Sequence, residues 1–145
     1  MIKQNIQNAI NIALKAGNKV ELSALRFVMS QIKYEEIDKQ EELTDEEVIF
    51  LMQKEVKKRK EAIEMFKKGN RDDLVKDEEA QMIVIQRFLP QQLTEEELRK
   101  IIDEVINSAG EERNMGKIIG LVMNKVKGKA DGATVSSLVK QKFQQ

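Results

Sequence analysis

The residues best suited to chemistry in this sequence are basic and lie near its C-terminus. Between residues 113 and 145 there are seven lysines and arginines and a single acid, Asp131. The net charge of the whole chain is zero, so this positive charge is segregated onto one segment. Clustered cationic side chains are typical of a surface that binds anions such as nucleic-acid phosphates. The pattern therefore predicts a binding surface rather than a catalytic centre.

Six residues of the basic segment are candidate phosphate contacts. Lysines are point charges that suit recognition of a phosphate backbone by shape, and binding of this kind weakens as salt is added. Only 4% of residues are aromatic, which argues against reading single-stranded bases by stacking. The primary candidates are Lys117, Lys125, Lys127 and Lys129, and the secondary candidates are Arg113 and Lys140.

Glycines punctuate the same segment, and each has an architectural interpretation. Gly128 is predicted to adopt the left-handed conformation that ends a helix, and Asp131 to cap the next helix, which Gly132 opens. Gly116 and Gly120 lie four residues apart inside a helix, where each costs about 1 kcal/mol relative to alanine. We expect them to permit close helix packing, with close approach of a ligand as the alternative. Backbone N–H groups at the start of the last helix could assist phosphate binding.

Composition excludes several classes of enzyme. The chain has no histidine and no cysteine, so the commonest general base, the imidazole metal ligand and the Ser-His and Cys-His nucleophiles are absent. Gly110 to Lys117 is not a phosphate loop, because five residues separate Gly110 from Gly116 and Ile118 follows the lysine. No catalytic residue, metal ligand or cofactor is predicted. A paired-carboxylate hydrolase or a carboxylate metal site stays open without specific support.

A second basic run, residues 54–60, is predicted to be a solvated helix face. Acids four residues away should compensate much of its charge through the pairs Glu55–Arg59, Lys57–Glu61 and Lys60–Glu64. Arg26 and Arg59 lie beside apolar stripes, where semi-buried ion pairs between helices are expected.

The elements that must position these residues are all predicted to be helices. Apolar residues recur at intervals of three and four, and no hairpin pattern competes. Thr44 with Glu47, and Thr94 with Glu97, match capping boxes that begin helices. Pro90 breaks the pattern between these two starts. We therefore predict an all-α chain with an N-terminal bundle of about four helices in residues 1–89 and a three-helix domain in residues 90–145.

The first residues lack the charged and apolar regions of a signal peptide, and no apolar run approaches the roughly 18 residues of a membrane span. A cytoplasmic location without a membrane partner is therefore expected, and the absence of cysteine agrees with it.

Taken together, these motifs resemble the GatB/YqeY family over nearly the whole chain. The C-terminal segments resemble the tail domain that the GatB component contributes to the glutamyl/aspartyl-tRNA amidotransferase, and the preceding half looks like the free-standing YqeY proteins. The segments that carry the resemblance are Met115-Gly116-Lys117, residues 126–132, Val135–Val139, Leu25-Arg26, residues 57–66, Arg71-Asp72-Asp73-Leu74 and Phe88-Leu89-Pro90-Gln91-Gln92-Leu93.

The resemblance implies a role close to tRNA amidation. The full amidotransferase converts misacylated Glu-tRNA or Asp-tRNA to the Gln or Asn form with glutamine as amido-nitrogen donor, and its tail domain is associated with tRNA recognition. The family label is carbon–nitrogen ligase activity, but the phosphorylating domain and the separate amidase component have no counterpart in 145 residues. Kinship of fold does not carry chemistry without the site.

The leading hypothesis is therefore a tRNA-binding accessory protein, without evident intrinsic catalysis, that works with amidotransferase or aminoacyl-tRNA synthetase components. The alternatives are a self-contained amidotransferase-like enzyme that uses carboxylates or lysines, and a protein–protein interaction module that does not bind nucleic acid.

Overall fold

A computed structural model describes residues 1–111 and 114–144, in which every regular element is a helix. The chain divides into two compact units, Met1–Leu89 and Pro90–Gln145. The predicted all-α fold of four helices followed by three is confirmed. Across these described residues, no helix combines the length and the apolarity that crossing a membrane requires. The helices are α1 (Ile2–Ala16), α2 (Lys19–Lys39), α3 (Asp45–Lys68), α4 (Asp72–Gln86), α5 (Glu95–Ala109), α6 (Met115–Val126) and α7 (Gly132–Phe143).

The starts of α3 and α5 are fixed by the two predicted capping boxes. Thr44 Oγ1 accepts a hydrogen bond from Glu47 N at 3.2 Å, and Glu47 Oε2 accepts one from Thr44 N at 2.9 Å. Thr94 and Glu97 repeat this arrangement with the same two distances. Each box satisfies two backbone donors that the helix itself leaves without partners. Gly17, which has a left-handed conformation with φ 69°, ends α1.

The first unit is built around α2, which packs on α1, α3 and α4. Its core residues recur at intervals of three and four along the helices, as an amphipathic pattern requires. Among the fully buried side chains of this core are Ile6, Leu25, Ile32, Met52 and Ile85.

The second unit has a separate, smaller core to which its three helices contribute equally. The buried residues of each helix are spaced so that one face of the helix turns inward: Leu98, Ile102 and Val105 from α5; Ile118, Val122 and Val126 from α6; and Val135, Leu138 and Val139 from α7. Ala130, in the connection between α6 and α7, is also buried in this core. Because Val126 and Ala130 are both anchored, the short segment between them is held at a fixed place on the unit.

Candidate nucleic-acid interface

The connection between α6 and α7 is a tight turn that carries two exposed lysines. Lys127 ends α6 with φ 27° and ψ 75°, and its N–H donates to Met123 O at 3.1 Å. Gly128 has φ 81°, so its predicted left-handed conformation is confirmed. Lys129 N then donates to Val126 O at 2.8 Å, which closes the turn. The lysine before this glycine, Lys127, and the lysine after it, Lys129, are both exposed.

This turn is tied to the segment that precedes α5. Leu93 N donates to Lys129 O at 2.8 Å. The side-chain amide of Gln92 donates to Gly128 O at 2.9 Å and also to Pro90 O at 2.7 Å. The hydrogen bond from Gln92 to this turn was not predicted from the sequence. The available signal was that residues 88–93 and 126–132 both carried the family resemblance, but a sequence does not show that two segments 36 residues apart are in contact.

The start of α7 follows the prediction, with a consequence for phosphate binding. Asp131 Oδ1 accepts from Thr134 N at 2.7 Å, and Asp131 Oδ2 accepts from Thr134 Oγ1 at 3.0 Å. Gly132 is the first residue of the helix, as expected. The Asp131 carboxylate therefore already lies at the positive end of the helix dipole, where it would repel a phosphate. The expected assistance from backbone N–H groups at this terminus gains no support, and the lysine side chains are the better candidates.

The lysines of the second unit differ in whether an acid accompanies them. Lys125 lies 4.0 Å from Glu104 of α5, and Lys142 lies 2.9 Å from Asp103 of the same helix. The Lys125 pair is largely exposed and the Lys142 pair is partly exposed, so each contributes little to stability. In the described part of the chain, no acidic side chain lies within ion-pairing distance of Lys127, Lys129 or Lys140.

The predicted contact residues do not form one cluster. Lys125, Lys127 and Lys129 lie at the end of α6 and in the turn. Lys117 is in the first turn of α6, about 12 Å along the helix axis from Lys125 at 1.5 Å per residue. Lys140 lies a similar distance along α7 from its first residue. Arg113 lies outside the described residues. Three of the predicted residues are thus close together in sequence at the turn, whereas Lys117 and Lys140 lie about two helical turns away along their own helices.

The packing role predicted for Gly116 and Gly120 is wrong. Both glycines are exposed. A Cβ added at Gly120 would meet no heavy atom within 4 Å, and one at Gly116 would meet only Asn114 Oδ1 at 3.4 Å. The periodicity placed these residues correctly inside a helix, but it did not show which face of α6 turns toward α5 and α7. The buried face belongs to Ile118 and Val122.

Several charged residues of the first unit join its helices, and Arg59 is the most buried of them. Arg59 is 7% exposed and donates to Glu55 Oε1 at 3.0 Å, to Glu78 Oε2 at 3.3 Å and to Gln81 Oε1 at 2.8 Å. Its guanidinium carbon also lies 5.5 Å from the centre of the Phe27 ring. The predicted semi-buried ion pair between helices is therefore confirmed for Arg59, which links α3 to α4.

Two other expectations for this unit are wrong. Arg26 is exposed rather than semi-buried. Of the three compensating pairs expected in α3, only Glu55–Arg59 forms within the described residues. Lys57 and Lys60 are exposed, and an exposed pair at this spacing gains only about 0.3–0.5 kcal/mol, too little to hold two long side chains in one geometry.

The enzyme alternative requires a cleft with convergent titratable groups. An open groove of about 420 Å³ beside α2 and α3 is lined by Lys39, Glu47, Phe50 and their neighbours. Lys39 Nζ contacts Glu47 at 2.6 Å, and this hydrogen bond, with the Thr44 N–H, holds the pKa of the Glu47 carboxyl below its usual range. Glu47 is thus committed to its capping box. Among the described residues, no group of three or more acids is placed to hold a metal ion.

Comparison with known proteins identifies the family. The model of the family described as "Yqey-like protein" matches residues 3–143. The chain belongs to the YqeY-like family. This YqeY-like chain is 30% identical to the altered inheritance of mitochondria protein 41, mitochondrial, of Pyrenophora tritici-repentis, over 97% of the chain and 80% of that protein.

Two yeast proteins are also similar over part of their length. An uncharacterized protein of Schizosaccharomyces pombe is 37% identical over 54% of the YqeY-like chain and 64% of its own length. The altered inheritance of mitochondria protein 41, mitochondrial, of Saccharomyces cerevisiae (strain YJM789) is 31% identical over 70% of the chain and 58% of its own length. The chain therefore spans less than two thirds of these two relatives.

Proposed function

We propose that this YqeY-like protein is a tRNA-binding accessory protein that contacts the phosphate backbone through Lys127 and Lys129. Lys125 lies at the edge of this contact, and Lys117, Lys140 and Arg113 are secondary contacts. Its partners are components of tRNA amidation, either an amidotransferase or an aminoacyl-tRNA synthetase, and it acts in the cytoplasm.

The observation that carries this proposal is the tethered turn between α6 and α7. Lys127 and Lys129 are exposed, have no acid within ion-pairing distance in the described residues, and lie on a backbone that is hydrogen-bonded to Gln92 and Leu93. Two cations on a fixed frame meet phosphates at lower entropic cost than two cations on a mobile loop. A few lysines without aromatic neighbours suit recognition of an A-form helix by shape.

The test is tRNA binding by the purified full-length protein at several salt concentrations. Lys127→Ala/Lys129→Ala should weaken binding on the order of tenfold at low salt, because two charge-assisted phosphate contacts are lost. It should also reduce the slope of log affinity against log salt by about two units. The matched control is Lys57→Ala/Lys60→Ala, which removes the same charge from exposed positions on α3.

Binding that the turn variant leaves unchanged would refute the proposal. So would an equal loss in the control variant, because that result would mean that net charge rather than the turn is responsible.

Intrinsic catalysis is not part of the proposal, although the family label is carbon–nitrogen ligase activity with glutamine as amido-nitrogen donor. The direct test supplies misacylated tRNA, ATP and glutamine to the purified chain. We expect no amide product. If product forms without any added amidotransferase component, the self-contained enzyme becomes the better description.

A protein–protein interaction module is the second candidate, and one observation favours it. The first unit exposes large apolar side chains on α2 and α3, including Tyr34 (72%), Ile37 (77%), Phe50 (54%) and Met65 (73%). Under this alternative, Tyr34→Ser/Ile37→Ser abolishes binding to a purified amidotransferase or synthetase component. The Lys127→Ala/Lys129→Ala variant would then keep that partner, and neither variant would bind tRNA differently from the wild type.

A further inference from the structure

We infer that Gln92 is a positioning residue that holds the Lys127-Gly128-Lys129 turn in the conformation that meets phosphate. The inference rests on the tRNA-binding function proposed above. It assigns a role in recognition to a neutral side chain that lies 36 residues away from the turn in sequence.

The side-chain amide of Gln92 bridges two backbone carbonyl groups. Its Nε2 donates to Pro90 O at 2.7 Å and to Gly128 O at 2.9 Å. Both acceptors are carbonyl oxygens, so only the NH₂ group of the amide can face them, and its orientation follows from chemistry. One side chain therefore joins the segment before α5 to the middle of the lysine turn. The neighbouring bond from Leu93 N to Lys129 O continues the connection along the backbone.

The turn has a conformation that needs such support. Lys127 has a positive φ of 27°, which is uncommon for a residue with a side chain. Gly128 follows with φ 81°. Two successive residues at positive φ persist where surrounding contacts determine the backbone. The core anchors Val126 and Ala130 on either side, but the carbonyl of Gly128 between them is held by Gln92.

A positioning role and a contact role predict different salt dependence. Lysines that touch phosphate displace counterions, so removing them lowers both the affinity and its dependence on salt. A residue that only pre-organises the lysines changes the entropy of ordering the turn and leaves the number of phosphate contacts unchanged. Loss of Gln92 should therefore lower affinity at every salt concentration with the same slope.

The experiment compares three single variants with the wild type. Gln92→Met keeps the length of the side chain without its donors, Gln92→Ala removes it, and Gln91→Ala is the matched control at the exposed neighbouring position. We expect both Gln92 variants to bind tRNA roughly three- to tenfold more weakly with an unchanged salt slope. Gln91→Ala should bind like the wild type. Thermal unfolding checks that all three variants stay folded.

Two further measurements isolate the turn itself. Trypsin cleavage after Lys127 and Lys129, followed by mass spectrometry, should be faster in the Gln92 variants and unchanged in Gln91→Ala. In the Lys127→Ala/Lys129→Ala background, Gln92→Met should have no additional effect on tRNA binding, because the two changes act on one interaction and are not additive.

The outcomes separate this inference from the proposed function. Wild-type affinity and wild-type cleavage in Gln92→Met, together with weak binding by the double lysine variant, would overturn the positioning role and leave the function intact. A reduced salt slope in Gln92→Met, or equal weakening in Gln91→Ala, would also overturn it. If the double lysine variant itself binds like the wild type, the function fails, and the inference fails with it.

Discussion

Two basic sites of this protein, one in each unit, are held by different kinds of contact. In the first unit, Arg59 joins α3 to α4 and Lys3 binds Glu36 of α2 through both carboxylate oxygens, at 2.8 and 3.0 Å. In the second unit, Lys127 and Lys129 lie on a turn held by backbone and amide hydrogen bonds, and no acid in the described residues pairs with them. The first arrangement stabilises the fold, whereas the second leaves positive charge available to a ligand.

A run of basic residues indicates a binding surface only when the acids near it in sequence are considered as well. The run at residues 54–60 is denser in basic residues than the C-terminal segment, but acids lie four residues away on the same helix. The turn at residues 127–129 has Asp131 as its nearest acid in sequence, and that carboxylate is engaged by Thr134. Because Lys57 and Lys60 form no ion pair among the described residues either, the turn differs from the solvated face in two other ways. Gln92 and Leu93 hold its backbone by hydrogen bonds, and acids are scarce around it in sequence.

The largest expected effect tests whether the two cores are independent. Ile102→Ala removes a fully buried side chain from the second core and should cost about 2–5 kcal/mol of unfolding free energy. Hydrogen exchange should accelerate throughout residues 95–143 and stay unchanged in α2. Ile32→Ala, in the first core, is the reciprocal control. Acceleration in both units by either variant would mean that they unfold together.

The next effect tests the structural use of charge in the first unit. Arg59→Ala leaves Glu55 and Glu78 without their partner, and breaking a buried pair of this kind should cost about 3 kcal/mol. Urea denaturation measures the loss. Lys60→Ala, at the exposed neighbouring position, should stay within about 0.5 kcal/mol of the wild type. A loss below about 1 kcal/mol in Arg59→Ala would contradict the role of Arg59 as a link between helices.

A smaller effect concerns pH. The hydrogen bond from Lys3, followed by that from Leu43 N–H, holds the pKa of the Glu36 carboxyl below its usual range. A carboxyl group whose pKa is lowered in the folded state stabilises the protein at pH values above its ordinary pKa of about 4.3. This contribution to the free energy of unfolding disappears as the pH falls through the pKa of the folded state.

Glu36→Gln should therefore lose roughly 1–2 kcal/mol near neutral pH, where hydrogen bonds to a charged group are lost. The difference from the wild type should shrink below about pH 4. Urea denaturation from about pH 3 to about pH 7 measures it, with Glu35→Gln at the adjacent exposed position as control. A difference that is constant with pH would rule out the ionised carboxylate as its source.

The smallest expected effect concerns two glycines of the second unit, one inside α6 and one in the turn that follows it. Gly120→Ala should raise stability by about 0.5–1 kcal/mol, since alanine is the better helix former and the added Cβ meets no other atom. Gly128→Ala should instead destabilise the unit, because alanine disfavours a φ of 81°. Thermal unfolding compares the two. If Gly120→Ala is destabilising, this face of α6 is packed after all.

Much of the fold could be predicted because its signals are local. The capping boxes at Thr44 and Thr94, the stop at Gly17 and the left-handed Gly128 each depend on a few neighbouring residues. The recurrence of apolar residues at intervals of three and four likewise indicated the helices and their number. Such features follow from backbone sterics and from hydrogen bonds within one turn of helix.

The candidate site was predictable only in part. Periodicity assigned Gly116 and Gly120 to a helix but could not tell which face packs, because that depends on the neighbouring helices. Ion pairing was equally undetermined, since Lys125 has Glu104 beside it only because α5 packs on α6. The hydrogen bond from Gln92 to Gly128 O joins residues that are far apart in sequence.

The sequence by itself therefore determined the all-helical class, several helix starts and stops, the concentration of positive charge and the resemblance to a family. The tertiary structure decided which cations are paired, which glycines are exposed and what holds the lysine turn. The physical reason is the range of the interactions: capping and helix periodicity act over about three or four residues, whereas packing and side-chain hydrogen bonds join residues that only the folded chain brings together.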